Sequence, residues 1–296
     1  MNMLVDHFLK FLQHEKRYSA NTIGAYQNDL GQFAGFLTSE FELEVGLAQP
    51  VHVRAYVAWL MENGVAESSV NRKVSTLRSF YKYQVRQGEM KVSPVRQIRT
   101  PKVPARVPVF VDDQKMNTLL DSEDIFDKSF SSVRDRMILE VLFGTGIRVS
   151  ELLALKEQDV DKYNCSITVT GKRNKQRVVP LTKLLSDELR DFIVLKSIHE
   201  FSTNADALFV TNKGLPMSRG QVYGIVRRYL TYISTQKKKG PHVLRHSYAT
   251  SLLNRGADLN AIKELLGHES LAATQVYTHN TIERLKSIYK LAHPKA

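Results

Sequence analysis

The chain has 296 residues, 43% hydrophobic and 24% charged, which excludes a disordered protein and allows one large core or two moderate ones. Its 42 Lys and Arg against 30 Asp and Glu leave a formal net charge of +12, a balance that either favours a polyanionic partner through counterion release or serves solubility alone. The single cysteine, Cys165, excludes an intrachain disulfide and suits a reducing compartment.

The first residues mix Asp6, His7, Lys10 and Glu15 with apolar side chains and show no signal-peptide core. No run reaches the roughly 18 apolar residues of a membrane span, so a cytoplasmic protein is expected. Residues 5–15 have a helical period in Val5, Phe8, Leu9 and Leu12. Ser19 is placed to cap a second helix to about residue 37, with Ile23, Tyr26, Leu30, Phe33 and Leu37 on one face. A third helix spans 51–63 and stops at Gly64. Ser68 or Ser69 is placed to cap a fourth, which runs to Gln87 and ends at Gly88. Its stripe of Val70, Val74, Leu77, Phe80 and Val85 can pack while Arg72, Lys73, Arg78, Lys82 and Arg86 face either solvent or phosphate.

Between residues 68 and 108 there are ten Lys or Arg and one acid, Glu89, which marks a nucleic-acid footprint. Four prolines in residues 92–108 block regular structure. The expected organisation is a helical domain at 1–91, an extended basic linker at 92–108 and a second domain at 109–296.

The second half reads as mostly helical, with helices at 132–144, 149–155, 187–199, 218–232, 243–255 and 258–266, and another around 274–277. Residues 166–170 and 177–181 alternate as strands around a basic turn containing Lys172, Arg173 and Lys175, beside Arg177. Residues 208–210 form a further short strand candidate.

Several residues in this half carry chemistry. Arg148 follows Gly144-Thr145-Gly146 at a helix start, and with Glu151 three residues on it makes either a plain ion pair or a phosphate-directed guanidinium with a carboxylate to orient it. His242 and Arg245 share a helix face after Gly240-Pro241. Two arginines on one phosphate neutralise the extra charge of a pentavalent transition state. Tyr277 is the candidate nucleophile, and needs a base because a free phenol has a pKa near 10; His242 is the candidate base. His268 can donate to a non-bridging oxygen. Lys172 can protonate the leaving oxygen, with Arg173, Lys175 and Arg177 as competitors. There is no HExxH, paired cysteine or Walker loop, so neither metal nor nucleotide cofactor is expected.

Taken together, the segments TGIRVSELLAL, GKRNKQRVVPL, HVLRHSYATSLL and IKELLGHESLAATQVYTH resemble the boxes of the tyrosine recombinase (phage integrase) family. Tyr18-Ser19-Ala20-Asn21-Thr22 and the helices around it resemble the core-binding domain of its Xer branch, within which the XerD-like members look most similar.

The resemblance implies a mainly α fold with a small β-sheet (α+β). A helical, SAM-like core-binding domain and a mixed α/β catalytic domain would form a C-shaped clamp on double-stranded DNA. It also implies that Tyr277 attacks the scissile phosphate to give a 3′-phosphotyrosyl bond. Arg148, Arg245 and His268 would hold the phosphate, Lys172 would act as acid and His242 would handle the tyrosine proton. Two strand exchanges through a Holliday junction in a tetramer would follow, alone or with a paralogous recombinase and a septal DNA translocase, to resolve chromosome dimers at cell division. The tail after Tyr277 would dock on a neighbouring subunit. The competing readings are a mobile-element integrase of transposon or integron type, a non-catalytic DNA-binding protein of the same fold, and a type IB topoisomerase.

Overall fold

The computed structural model describes residues 2–104, 110–171, 174–199, 201, 206–236 and 239–267. Lys172, Arg173, His268, Tyr277, the expected helix around 274–277 and the tail lie outside them. The chain divides into two units, Met1–Arg106 and Val107–Ala296.

The first unit is built from four helices: α1 (Met3–His14), α2 (Ala20–Phe41), α3 (Pro50–Glu62) and α4 (Glu67–Gln87). Ser19 caps α2 by accepting the Thr22 amide at 3.3 Å, and Gly88, at φ 81°, ends α4 in the left-handed region that glycine adopts without penalty. The apolar stripes meet in a core of Phe8, Leu30, Phe33, Tyr56, Val74, Leu77, Phe80 and Tyr81, all essentially inaccessible. The Tyr81 hydroxyl donates to the Val45 carbonyl at 2.8 Å, which satisfies the one polar atom of that buried ring.

Three expectations for this unit change. The fourth helix starts two or three residues earlier than the serines suggested, with Ala66 at its N-cap and Glu67 in its first turn, where an acid suits the helix dipole. Arg72 and Lys73, expected to stand free for phosphate, both pair with Asp29 of α2, whose carboxylate is 2% exposed and also accepts from Thr76 at 3.0 Å. The segment expected as an extended linker is docked on the first unit in its early part. Val95 and Ile98 are buried in the core, Arg78 donates to the Ile98 carbonyl at 2.9 Å, and Asn71 donates to the Pro101 carbonyl at 3.1 Å. The apolar residues set between the prolines outweigh the charge of the stretch.

The second unit opens with α5 (Asp113–Leu120) and then α6 (Phe130–Thr145), which is buried along nearly its whole length. After α7 (Val149–Ala154), strands β1 (Val160–Asp161), β2 (Ser166–Thr170) and β3 (Gln176–Pro180) form an antiparallel sheet in the order β1-β2-β3. Ile167 pairs with Val179 and Val169 with Arg177 across β2 and β3. Helices α8 (Lys183–Ile198), α9 (Arg219–Ile233), α10 (Pro241–Asn254) and α11 (Leu259–Leu266) complete the unit. α6 lies against both α8 and α10, and a small cluster of Tyr248, Leu252, Ile262, Leu265 and Leu266 joins α10 to α11. The expected strand at 208–210 does not form. Two isolated bridges, Lys156 to Ala207 and Val210 to Pro216, stand there instead, because Gly214 and Pro216 turn the chain back before a ladder develops. Among the described residues no helix is long and apolar enough to cross a membrane.

Candidate active site

The site begins at the junction of α6 and α7. Gly146 ends α6 at φ 62°, and a Cβ there would come within 2.5 Å of the Tyr248 ring and 2.9 Å of Leu266. Only glycine permits both the backbone angle and the approach of α10 and α11 to this turn. The next turn presents Arg148 as the N-cap of α7. Its amide donates to Oε2 of Glu151 at 2.8 Å and its Nη1 donates to Oε1 at 2.8 Å. Arg148 keeps 38% of its side chain exposed, whereas Glu151 keeps 2%. The pair is thus a buried carboxylate aiming a half-exposed guanidinium, rather than a solvated ion pair.

Pro241 opens α10 at a position where no amide donor is needed, and the first turn of α10 carries His242 and Arg245. Arg245 donates from Nη1 to the Gly146 carbonyl at 2.6 Å and from Nη2 to the Leu266 carbonyl at 2.7 Å. Burial, and then the neighbouring Arg148 charge, lower its pKa to about 10, so it stays cationic at neutral pH while gaining from any anion brought to it.

A third guanidinium lies beneath these two. Arg177 is 8% exposed and grips Glu151 with both ends of its fork, Nη1 to Oε1 at 2.8 Å and Nη2 to Oε2 at 3.0 Å. Burial acts to raise the Glu151 pKa, but the hydrogen bonds from Arg177 and from the Arg148 amide outweigh it and hold the carboxyl below its ordinary value. Arg177 Nε also donates to the Leu265 carbonyl at 3.2 Å. Three successive carbonyls at the end of α11, those of Leu265, Leu266 and Gly267, therefore accept from Arg177, Arg245 and Arg148 respectively. A helix C-terminus carries partial negative charge, so it offsets part of the charge left by three arginines around one carboxylate.

Arg148, His242 and Arg245 line one small pocket together with Ile147, Val149, Ser150, Arg219 and Pro241. Arg219, the first residue of α9, is exposed and lies over the Tyr223 ring at 5.7 Å. The same ring backs Gly240, where a Cβ would meet it at 3.2 Å. Sequence reasoning missed Arg219. Its signal was an arginine directly after the N-cap Ser218, but nothing in the one-dimensional order links residue 219 to residue 242.

Of the expected site residues, the fold brings Arg148, Glu151, His242 and Arg245 together, with Arg177 buried below them instead of presented at the hairpin tip. Lys175 is exposed on the turn, where its carbonyl accepts the Gly171 amide at 2.8 Å. Arg72, Lys73, Arg78 and Lys82 belong to the first unit.

Guanidiniums converging over a buried carboxylate, with an imidazole at the rim, make a site for a phosphodiester. Residues 110–284 match the model of the phage integrase family, and residues 5–88 match its N-terminal SAM-like domain. The chain belongs to the phage integrase family and is a Xer-type tyrosine recombinase, a site-specific DNA recombinase.

Among its relatives, it is 36% identical to tyrosine recombinase XerC of Chlorobaculum parvum, covering 98% of this chain and 94% of that protein. It is 37% identical to tyrosine recombinase XerC of Listeria innocua, covering 98% and 97%. These relatives carry the XerC name, whereas the sequence resemblance pointed to XerD-like members. In fold it is similar to XerH recombinase bound to its difH substrate after cleavage, with a TM-score of 0.72 and 22% identity over 96% of this chain and 82% of that one. It is likewise similar to a Tn1549 transposon integrase with transposon right-end DNA, with a TM-score of 0.71 and 18% identity over 96% and 99%. At these identities the solved structures speak for the fold alone.

Proposed function

We propose that the protein cuts and rejoins double-stranded DNA by attack of the Tyr277 hydroxyl on a scissile phosphate. This gives a 3′-phosphotyrosyl intermediate and a free 5′ hydroxyl. Arg148 and Arg245 clamp the phosphate, His268 donates to it, His242 takes the tyrosine proton and Lys172 returns one to the leaving oxygen. The observation that carries this reading is the convergence of Arg148, Arg245 and His242 on one pocket, with Arg148 aimed by a buried Glu151. Preorganised donors of this kind are worth about 3–4 kcal/mol each in a transition state that gains charge. The covalent bond conserves the phosphodiester energy, so rejoining needs no cofactor.

The reaction proceeds in the cytoplasm on synapsed sites in a tetramer, through a Holliday junction, and serves the resolution of chromosome dimers at cell division. A paralogous recombinase and a septal DNA translocase are the proposed partners. Arg173, Lys175 and Lys82 contribute phosphate contacts. Lys82 and Lys175 are exposed and form no ion pair among the described residues.

The test is a nicked suicide duplex bearing candidate chromosomal recombination sites, incubated with wild type and with Tyr277→Phe. A denaturant-stable protein–DNA adduct is expected from wild type and not from the variant. An adduct that persists in Tyr277→Phe would assign the nucleophile elsewhere. Binding without any adduct, with a partner recombinase present, would point to a non-catalytic role on those sites.

A further inference from the structure

Arg177 stands apart from the other two arginines of the cluster. It is absent from the lining of the pocket, which comes from α7, α9, α10 and the two residues just before α7. It sits on β3 opposite Val169 and is buried. Its three donor nitrogens are spent on Glu151 Oε1, Glu151 Oε2 and the Leu265 carbonyl. Gly267, at φ 66°, lies against its guanidinium so closely that a Cβ would come to 3.0–3.2 Å from Nη1, Cζ and Nε.

The neighbours define what Arg177 does. A carboxylate as buried as Glu151 is costly unless it is paired and hydrogen-bonded. Arg177 supplies that pairing in the bidentate geometry which a lysine, with its single point charge, does not reproduce. Glu151 then has oxygens left for Arg148, and Oε1 is shared by the two arginines. On its other side Arg177 fixes the turn immediately before His268. One buried side chain thus braces the aim of the exposed guanidinium and the end of α11.

We propose that Arg177 is a positioning residue of the recombination reaction: it locks the Glu151 carboxylate that aims Arg148, and the last turn of α11, without touching DNA. This rests on the reading of Arg148 and Arg245 as the phosphate clamp.

The experiment uses the full chain and a nicked duplex carrying the sequence that this protein selects from a random pool. Wild type, Arg177→Gln, Arg177→Lys and the double variant Glu151→Gln with Arg177→Gln are compared. The measurements are the single-turnover rate of adduct formation, the Kd with its salt dependence, and the thermal midpoint. Arg177→Gln is expected to bind with unchanged Kd and salt slope but to form adduct on the order of 100-fold more slowly, the scale of loss that small misplacements cause. Arg177→Lys, which keeps the charge and is the variant more certain to fold, is expected to show the same split.

The pH profile distinguishes positioning from scaffolding. Without Arg177, the charged groups facing Glu151 among the described residues are Arg148 at the N-cap of α7 and Arg245 from α10, and burial is free to raise its pKa. The Arg177→Gln rate is expected to fall further toward weakly acidic pH, and the double variant is expected to lose that acid limb. A weakened Kd with a shallower salt slope would make Arg177 a DNA contact and overturn the proposal. A wild-type rate in both single variants, or a pH-independent loss that tracks the thermal midpoint, would overturn it as well. Wild type without an adduct would overturn the proposed function itself, and the positioning role with it.

Discussion

A single methyl group at Gly146 would strike the site at its hinge. The residue holds φ 62° and faces the Tyr248 ring and Leu266 at distances no Cβ tolerates. Left-handed backbone alone costs a non-glycine residue about 1–2 kcal/mol, and the clash adds to it. Gly146→Ala is expected to destabilise the second unit by about 2 kcal/mol or more, seen as a lower denaturant midpoint with an unchanged m-value. At this scale much of the site was legible. Arg148, His242 and Arg245 announced themselves by glycine and proline punctuation and by spacing within a single turn. Arg219 and the true place of Arg177 were not legible, because the site residues they join lie in other elements: Arg219 shares its pocket with residues of α7 and α10, and Arg177 meets Glu151 from 26 residues away and Leu265 from 88. No local pattern records such a pairing.

At the scale of elements, helices with one apolar stripe could be read from period alone, as in α1, α2 and α4. Their ends were read less well, since α4 starts on Ala66 with no side-chain cap. Elements below one turn or one ladder, such as the two-residue β1 and the bridges around Val210, carry too few residues for a period. The basic face of α4 was legible as a pattern but not as a surface, because Asp29 of α2 takes up Arg72 and Lys73. That carboxylate is a polar link between α2 and α4, beside the bond from the Tyr26 hydroxyl to Ser79. Asp29→Asn is expected to lower the stability of the first unit by about 1–3 kcal/mol, the cost of leaving buried or half-buried partners unmatched. Thermal unfolding followed by circular dichroism checks this, and an unchanged midpoint would show that the pairing contributes nothing to the docking of the helices.

At the scale of the molecule, a net charge of +12 says that DNA binding falls steeply with salt, but not which cations are responsible. The structure separates them. Lys73 and Arg177 are tied into ion pairs away from solvent and the exposed Arg72 is paired with Asp29, whereas Lys82, Lys175 and Arg219 are exposed without an ion pair among the described residues. Substitution of Lys82 or Lys175 by Gln is expected to weaken binding uniformly across DNA sequences and to reduce the slope of log affinity against log salt by about 1 each. Fluorescence anisotropy at several salt concentrations reads both quantities. An unchanged slope would remove that lysine from the footprint.

The three carbonyls at the end of α11 have a consequence for how this chain tolerates change. Acceptors that belong to the main chain cannot be deleted by exchanging a side chain, so residues 265 and 266 are free to vary as far as packing allows while the arginines keep their partners. Length has no such freedom. One residue inserted or removed between Asp258 and Gly267 would turn all three acceptors by about 100° around the helix axis and take one partner from each of three guanidiniums at once. The segment is forgiving of spelling and strict about counting.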